Sequence, residues 1–450
     1  MFKKIEIWIL YIVILVFIVF SFVPSFILYL DFAYDKQVPL ATPIIRYIVD
    51  IPIKVNQLLS KRISGYEADA QFNEKIISKL KKSNQNHIGH KYSKPMYLLS
   101  SRYDFELSQT VIDIVDLNTF ILKKKIIPDF EFIKSNLNPK NIYMEKSITG
   151  FEKLRSQSPH ITHDGGIVFQ ARALVKLKNN GQIDWVNSEK NFHHSLTIDH
   201  EGNIWSPSRT FPFTLKNINH RSFFKEDAIT CISSKGKIIF DRSLVDIFFK
   251  NEIGYKIYED HAFKNLKKDP FHLNDIEPVL EDGRHWKKGD LFLSLRGLSM
   301  IMLYRPSNDS ILWYSEGKVR HQHDIDIIGD GKISIFNNES VVIDNNAKKK
   351  SNNKITIYDF DSKTFSNYFE NSTEKYNVRT RTQGLHTLLD DGALYIEETD
   401  NGRHLFFDSS GQLVWQIFNY SSKENLFYQY GWSSLIYKKN EIDLIRNFIK

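Results

Sequence analysis

Residues Arg320–Asn338 read RHQHDIDIIGDGKISIFNN and indicate the fold. Apolar and polar residues alternate on both sides of the Gly329–Gly331 turn, a pattern typical of two antiparallel strands joined by a tight turn. Because successive side chains of a strand point to opposite faces, we expect His321 and His323 to share one face and Asp324 to point away. An imidazole at the head of an inner strand can serve as a nucleophile, a base or a metal ligand.

The same strand–turn–strand unit recurs along the chain. Each instance is an apolar strand, a turn ending in Gly and a second apolar strand, as at Ile198–Trp205, Ile232–Phe240 and Leu388–Tyr395. A second unit, Gly-Gln-x-x-Trp, occurs at Gly181–Trp185 and Gly411–Trp415. Repeated short units of this kind are typical of radial all-β architectures such as propellers.

One complete repeat can be followed from residue 272 to residue 314. Its predicted strands are His272–Leu280, Leu291–Arg296, Met300–Tyr304 and Ser310–Tyr314. Four antiparallel strands in about 45 residues match one propeller blade, and about six such blades fit between residues 95 and 437. A pair of β-sandwiches is the alternative, but the shared Gly-Gln-x-x-Trp units favour a ring. We therefore predict an all-β fold, a six-bladed β-propeller.

The N-terminal segment Ile7–Leu30 is almost wholly apolar and exceeds the roughly 20 residues that a helix needs to cross a bilayer. Lys3 and Lys4 precede it, whereas Asp31 and Asp35 follow it, which orients the N-terminus to the cytoplasm. The apolar run is long for a signal peptide and no small-x-small cleavage signature follows it, which favours an uncleaved signal anchor over a cleaved signal. We expect a single-pass protein of the inner (cytoplasmic) membrane whose remaining residues are periplasmic or extracytoplasmic.

Three regions follow from these patterns. Residues 1–30 are the predicted N-terminal transmembrane helix, and residues 95–450 are the predicted propeller. Between them, residues 31–94 carry prolines and then apolar residues at helical spacing, which predicts a short helical juxtamembrane segment and a linker. The sequence leaves open whether this segment lies on the bilayer or packs on the propeller.

The charge distribution and the cysteine content limit the classes of partner and the disulfides that this chain can have. The formal charge is +7, from 60 Lys and Arg against 53 Asp and Glu, and the excess is spread along the chain. Short clusters such as Lys123–Lys125 and Lys348–Lys350 fit solvated turns better than a nucleic-acid surface, so no nucleic-acid partner is expected. The single cysteine, Cys231, excludes an intramolecular disulfide, which suits the cytosol and equally an exported protein.

Histidines recur at matching positions in the repeats. His194 and His323 each precede the turn glycine of their unit by eight residues, and His386 precedes its own by six, which preserves the alternation parity. The first strand of a propeller blade lines the central channel. We therefore expect three blades to begin this strand with an imidazole at one channel mouth.

Two further residues are predicted to reach the same mouth. His272 begins the first strand of another blade, with Asn274 on its face. Arg296 ends the antiparallel neighbour strand, which brings it back toward His272. A single histidine in a β-protein is often a polar filler, and Arg296 could simply pair with a nearby carboxylate. Four histidines aligned by turn spacing weaken the structural interpretation and leave both roles open.

Four separated segments resemble the bacterial arylsulfotransferase family, in the order in which that family carries them. They are Phe192–Leu196 (FHHSL), Phe271–Ile276 (FHLNDI), Ser294–Arg296 (SLR) and Gln322–Asp324 (QHD). The closing segment Gly402–Trp415 also resembles the last blade of the family. Its members are six-bladed periplasmic propellers that transfer a sulfuryl group from an aryl sulfate to a phenol without a nucleotide donor.

The resemblance implies a role for each aligned residue. His323 would be the nucleophile that forms a transient sulfohistidine, while His194, His272 and Arg296 would hold the sulfuryl oxygens or exchange protons. Further substrate-binding residues are expected to be Asn274, His321, His386 and His193. The partners implied are a small aryl sulfate donor and a phenolic or other hydroxyl acceptor, with no cofactor. Fixed cationic donors suit a loose transition state with charge on its peripheral oxygens.

Two other functions remain open from the sequence. A non-catalytic extracytoplasmic propeller could bind an anionic ligand or a partner protein through the same residues. A metalloenzyme could use the clustered imidazoles to bind copper or zinc. Histidine ligands are usually accompanied by a carboxylate or Cys, and none is evident on the histidines' face, so no metal site is expected.

Overall fold

A computed structural model describes most of the chain beyond residue 65. The described residues are 66–68, 72, 74–83, 85–149, 153–215, 224–260, 265–329, 331–339, 341–342, 348–349 and 352–450. The predicted membrane anchor at residues 1–30 and the first half of the juxtamembrane segment lie outside them. Among the helices that are described, none combines the length and the apolar character needed to cross a membrane.

Six antiparallel sheets, each built on four strands, confirm the six-bladed β-propeller. In each blade the first strand lines the channel and the others follow it outward. Blade 1 contains Ser434–Ile436, Tyr97–Asp104, Gln109–Asp116 and Ile121–Ile126. Blade 2 contains Gln157–Ile161, Ile167–Ala171, Ala173–Leu177 and Ile183–Asn187. Blade 3 contains Thr197–Ile198, Ile204–Arg209, Asp227–Ile232 and Ile238–Ser243, with Asn191–Phe192 paired to its second strand.

Blades 4 to 6 follow the same order. Blade 4 contains Leu273–Pro278, Leu291–Leu295, Met300–Arg305 and Ser310–Glu316, within two residues of the predicted bounds. Blade 5 contains His323–Ile327, Lys332–Asn337, Lys354–Asp359 and Thr364–Tyr368. Blade 6 contains Leu385–Leu388, Leu394–Glu398, Arg403–Phe407 and Leu413–Phe418, and His87–Gly89 adds a fifth strand at its outer edge. Among the described residues, three two-stranded ribbons lie outside the blades: Tyr258–Asp260 with Asn265–Leu266, Val341–Val342 with Lys348–Lys349, and Tyr420–Ser421 with Leu426–Phe427.

The ring is closed by the C-terminal strand. Ser434–Ile436 pairs antiparallel with the start of Tyr97–Asp104, with Leu435 opposite Leu98. Both leucines are buried in an apolar cluster that also holds Trp415 of blade 6. The last strand of the chain therefore supplies the first strand of blade 1 and joins the two ends of the repeat.

Apolar side chains fill the spaces between neighbouring blades. Blades 4 and 5, for example, share Phe292, Leu303, Ile325, Ile335 and other buried residues in one cluster. Many strands are buried on both faces, and their sequences are therefore nearly continuous apolar runs. This packing holds the first strands around a central cavity of about 310 Å³, which residues from all six of them line.

Short helices surround the blades. The C-terminal helix Lys439–Ile449 buries Ile442, Ile445 and Phe448 against blades 1 and 2. The helix Glu74–Ser83 packs through Leu80 on Phe418 and its neighbours, so the second half of the juxtamembrane segment lies on blade 6. The other helices and 3₁₀ turns in the part of the chain that the structure describes are Phe130–Ser135, Glu145–Ile148, Leu244–Lys250, Glu370–Lys375, Gly254–Ile257, Arg296–Leu298 and Thr399–Asn401.

A left-handed residue stands at the head of every channel-lining strand. In order from blade 1 to blade 6 they are Trp432, Ser158, His194, His272, Asp324 and Gln383, with φ between +43° and +69°. None is glycine, and this backbone conformation costs of order 1–3 kcal/mol per residue. These six lie at one rim of the channel, and twelve other described non-glycine residues also have a positive φ.

Candidate active site

Three imidazoles from blades 3, 4 and 5 meet at this rim. The ring centre of His194 lies 5.0 Å from that of His272 and 6.3 Å from that of His323. The sequence predicted the meeting of these three residues, and the structure brings them together.

The bonds of His323 define its tautomer. Its Nδ1 lies 2.8 Å from Oδ1 of Asn338, an acceptor, so Nδ1 carries the proton. Its Nε2 accepts from the backbone N–H of Gln383 at 3.2 Å and therefore keeps the lone pair. Burial and the nearby positive charge of Arg296 hold the pKa of His323 well below its usual value. His323 is thus a neutral imidazole with a nucleophilic nitrogen.

His194 is backed by the preceding histidine. Nδ1 of His193 lies 2.7 Å from Nδ1 of His194, and Nε2 of His193 lies 3.2 Å from Oδ1 of Asp227. Burial and the neighbouring His272 and His193 lower the pKa of His194 well below its usual value. His193, predicted to bind substrate, instead lies between His194 and a carboxylate.

His272 has a carboxylate partner of its own. Its Nδ1 lies 3.0 Å from Oδ2 of Asp269, which Lys225 also contacts at 2.7 Å. The hydrogen bond and charge of His272, together with Lys225, hold the pKa of Asp269 well below its usual value. Asp269 therefore stays ionised, and its carboxylate orients the ring of His272 by accepting from Nδ1–H.

Arg296 is placed by a tight turn next to His272. Its backbone N–H donates to the carbonyl of His272 at 3.2 Å, and the N–H of Gly297 donates to that of Phe271 at 2.8 Å. A Cβ on Gly297 would lie 2.6 Å from the carbonyl oxygen of Pro270, so the turn requires glycine. Burial lowers the pKa of Arg296, while the charges of Asp269 and Asp400 raise it. Asp290, a possible alternative partner, is held by Arg305 at 2.7 Å.

Trp432 completes the site, and sequence reasoning missed it. Its ring lies 5.7 Å from that of His194 and 6.0 Å from that of His323. Buried Glu397 accepts from the backbone N–H groups of Trp432 and Ser433 at 3.0 and 2.6 Å, which fixes the indole in place. Trp432 is 2% exposed. Nε1 of Trp432 and Nε of Arg296 are buried donors that have no hydrogen-bond partner among the described residues.

A family model described as "Arylsulfotransferase (ASST)" matches residues 169–420, more than half of the chain. The chain belongs to the arylsulfotransferase family. No curated protein matches it. All four segments on which the resemblance rested lie inside the matched range.

Solved structures with a similar arrangement share little sequence with this arylsulfotransferase-family chain. A protein of unknown function from Bacteroides caccae is 13% identical, with 77% of this chain and 100% of that chain covered and a TM-score of 0.48. TolB from Acinetobacter baumannii is 12% identical, with 80% and 70% covered and a TM-score of 0.41. Virginiamycin B lyase from Staphylococcus aureus is 14% identical, with 58% and 69% covered and a TM-score of 0.33. None of these likenesses bears on the reaction.

Two of the other residues predicted to bind substrate have structural partners in this arylsulfotransferase-family propeller. Asn274 is fully buried and donates from Nδ2 to the carbonyl of Gln322 at 2.8 Å, which ties blade 4 to the residue before His323. His386 is buried and bonds Asp324 at 2.6 Å and Ser334 at 2.8 Å. His321 is exposed and precedes the strand that His323 begins. Asn274 and His386 therefore bond to other protein groups, and His321 is exposed, whereas His194, His272 and His323 lie together at the rim.

The expectations about the carboxylates are wrong. Asp324 does not point away from the histidines, because a bulge between His323 and Ile325 turns its carboxylate onto His386. Carboxylates also accompany His193 and His272, although none was expected on the histidines' face. One group of potential metal ligands exists among the described residues: Asp324, Asp326 and His386 place one ligand atom each within 4.8 Å of one another. Both ring nitrogens of His386 already contact Asp324 or Ser334.

Proposed function

We propose that this chain is an arylsulfotransferase that moves a sulfuryl group from an aryl sulfate to a phenolic or other hydroxyl acceptor through a sulfohistidine at His323. The carrying observation is the tautomer of His323, whose Nδ1 proton is bound by Asn338 while Nε2 keeps a lone pair. A neutral imidazole of this kind is a competent nucleophile. No nucleotide donor takes part in the proposed reaction.

The surroundings of His323 support the attack on sulfur. Sulfuryl transfer resembles phosphoryl transfer, in which charge collects on the peripheral oxygens of a loose transition state. The ring of His194 lies beside those of His272 and His323, and the positive charge of Arg296 acts on His323. The unpaired Nε of Arg296 and Nε1 of Trp432 are donors that a bound sulfate could satisfy. Each well-placed donor contributes about 3 kcal/mol to such a transition state.

The proposed cycle has two balanced steps. In the first, Nε2 of His323 gives up the hydrogen bond from the Gln383 N–H and forms a bond to sulfur with the same lone pair. The S–O bond to the aryl group breaks, and the electron pair leaves with the aryloxide, which takes a proton. In the second, the oxygen of the acceptor attacks the same sulfur and loses its proton, and the electron pair of the N–S bond returns to Nε2.

A trapping experiment tests the proposal. The purified chain is incubated with 4-nitrophenyl sulfate, quenched in alkali, and digested for mass spectrometry. We expect release of 4-nitrophenol and one added SO₃ group on the peptide that contains His323. His323→Asn should abolish both signals, whereas His285→Asn, which removes a histidine paired to Asp361 at 2.8 Å in another turn, should keep both.

The same experiment separates the proposed enzyme from its alternative. Binding of 4-nitrophenyl sulfate without release of 4-nitrophenol would overturn the enzymatic proposal in favour of a non-catalytic propeller that binds anions. Full transfer by His323→Asn would overturn the assignment of the nucleophile.

We also propose that the chain is anchored in the inner membrane with the propeller outside the cytoplasm. The support is the apolar segment Ile7–Leu30, preceded by Lys3 and Lys4. Protease added to spheroplasts should degrade the propeller only if it lies outside the cytoplasm. A protected propeller that fractionates with soluble proteins would refute the anchoring.

A further inference from the structure

The contact between the two consecutive histidines places a second titratable ring behind the site. Nδ1 of His193 lies 2.7 Å from Nδ1 of His194. At this distance one nitrogen must carry a proton and the other a lone pair, because two lone pairs or two protons would repel. Each ring can therefore pass a proton to the other along this bond.

A carboxylate stands behind His193 in turn. Nε2 of His193 lies 3.2 Å from Oδ1 of Asp227, a residue that is 1% exposed. This is an ion-pair contact, since neither atom makes a hydrogen bond in the described structure. The other oxygen of Asp227 accepts from the backbone N–H of Leu273 at 2.8 Å, and Nε of Arg209 lies 3.9 Å from Oδ1. Asp227 is thus fixed in position, and a carboxylate and two imidazoles follow one another from the space between blades 3 and 4 to the site.

We propose that Asp227 and His193 form a proton relay that lets His194 accept the proton of the acceptor hydroxyl. This inference rests on the proposed sulfuryl transfer and assigns His193 as a positioning residue that acts through His194. It replaces the substrate-binding role that the sequence suggested for His193.

The proposed proton path is balanced. As the acceptor oxygen bonds to sulfur and the N–S electron pair returns to His323, the hydroxyl proton moves to Nε2 of His194. The proton on Nδ1 of His194 then shifts to Nδ1 of His193, whose Nε2 lies 3.2 Å from Oδ1 of Asp227. The positive charge thus rests on His193 beside a carboxylate. The reverse path returns the proton to the next departing aryloxide.

The burial of the site explains why a second ring is needed. Burial and its histidine neighbours lower the pKa of His194 well below its usual value, so a charge kept on that ring would be costly. Burial and Arg209 also lower the pKa of His193, but Asp227 raises it, and no carboxylate contact of this kind supports His194 among the described residues. Moving the positive charge from His194 to His193 therefore brings it next to the carboxylate of Asp227.

The test uses acceptors that differ in their need for a base. The enzyme is first sulfated by 4-nitrophenyl sulfate, whose leaving group needs little protonation, and then mixed with phenols of increasing pKa. We expect His193→Phe to form the adduct at the wild-type rate. Transfer to phenol, with a pKa near 10 like that of tyrosine, should fall about 100-fold, while transfer to acidic, already ionised phenols should change less than about threefold.

Three other variants serve as controls for this interpretation. Asp227→Asn should show the same dependence on acceptor pKa, and His193→Gln, which keeps a polar group between His194 and Asp227, provides the comparison if His193→Phe fails to fold. His285→Asn, a variant of a His–Asp pair elsewhere in the chain, should leave all acceptors unaffected.

The possible failures can be told apart. Equal losses for every acceptor would mean a structural role for His193 and would overturn the relay, as would an unchanged rate for phenol. Absence of any adduct on the wild-type protein would instead overturn the proposed function on which the relay rests.

Discussion

Asn338 offers the sharpest test of how the nucleophile is oriented. Its Oδ1 accepts the proton on Nδ1 of His323 at 2.8 Å, and its Nδ2 donates to the carbonyl of Gln383 at 2.7 Å. Because the backbone N–H of Gln383 is the group that meets Nε2 of His323, one amide side chain secures both sides of the imidazole. Asn338→Ala removes both connections.

The expected loss follows from the charge that develops on the ring. When Nε2 bonds to sulfur, the ring becomes cationic, and Asn338 then accepts from a charged N–H. A hydrogen bond to a charged group is worth about 2 kcal/mol, which corresponds to about a thirtyfold slower formation of the sulfohistidine. Single-turnover release of 4-nitrophenol from 4-nitrophenyl sulfate measures this rate directly.

Asn353→Ala is the matched control. Asn353 is also buried and donates to the carbonyls of Asn338 and Thr380 at 2.9 and 3.0 Å, and no contact joins it to His323 in the described structure. Both variants should lose similar stability, measured by urea unfolding, but only Asn338→Ala should lose the single-turnover rate. Equal rates for the two variants would refute the proposed control of the tautomer.

Three further predictions concern the channel, the indole and the ring closure. Burial and the charge of Asp324 raise the pKa of Asp326 to about 7, so the stability that its protonated form contributes is present below pH 4 and is lost as pH rises through 7. Asp326→Asn should therefore stabilise the protein more at pH 8 than at pH 4. The difference in unfolding free energy should be about 1 kcal/mol, a value reduced for solvent screening because this carboxylate is partly exposed. Equal shifts of the melting temperature at both pH values would contradict this prediction. Trp432→Ala should cost about 3–5 kcal/mol of unfolding free energy, and Trp432→Phe clearly less, as measured by denaturant titration; equal losses would contradict the packing role of the ring. Leu435→Asp should cost at least about 3 kcal/mol because it buries a charge in the closing strand, whereas Leu426→Asp, at a position 38% exposed, should change the stability by less than about 0.5 kcal/mol; a stable Leu435→Asp protein would show that the strand pairing is dispensable.

The turn glycines made the ring and most of the site predictable. Gly202, Gly331 and Gly392 adopt φ values of +80°, +85° and +83°, which explains why glycine marks the same point of each repeat. A histidine at a fixed distance from such a glycine lies at a fixed depth in the channel. His194 and His323 share an offset of eight residues and meet, whereas His386, with an offset of six, lies inside its strand and contacts Asp324 instead.

The parts that the sequence did not reveal depend on bulges and on ring closure. Alternation was assumed to continue through Asp324, but its φ of +43° and the register shift beside it reverse the facing of the following side chains. Nothing in the residue types marks such a bulge, since none of the six left-handed residues at the rim is glycine. Trp432 was missed because its contact with His323 depends on the pairing of the first and last strands of the ring.

The order in which the chain is made gives that pairing a biological consequence. Trp432 lies two residues before Ser434–Ile436, the strand that closes the ring. Trp432 and this strand are therefore synthesised together, after every other strand of the six blades. A nascent chain that has not reached them would hold all three central histidines and still lack a finished chamber. Completion of the site therefore waits for the last strand of the propeller.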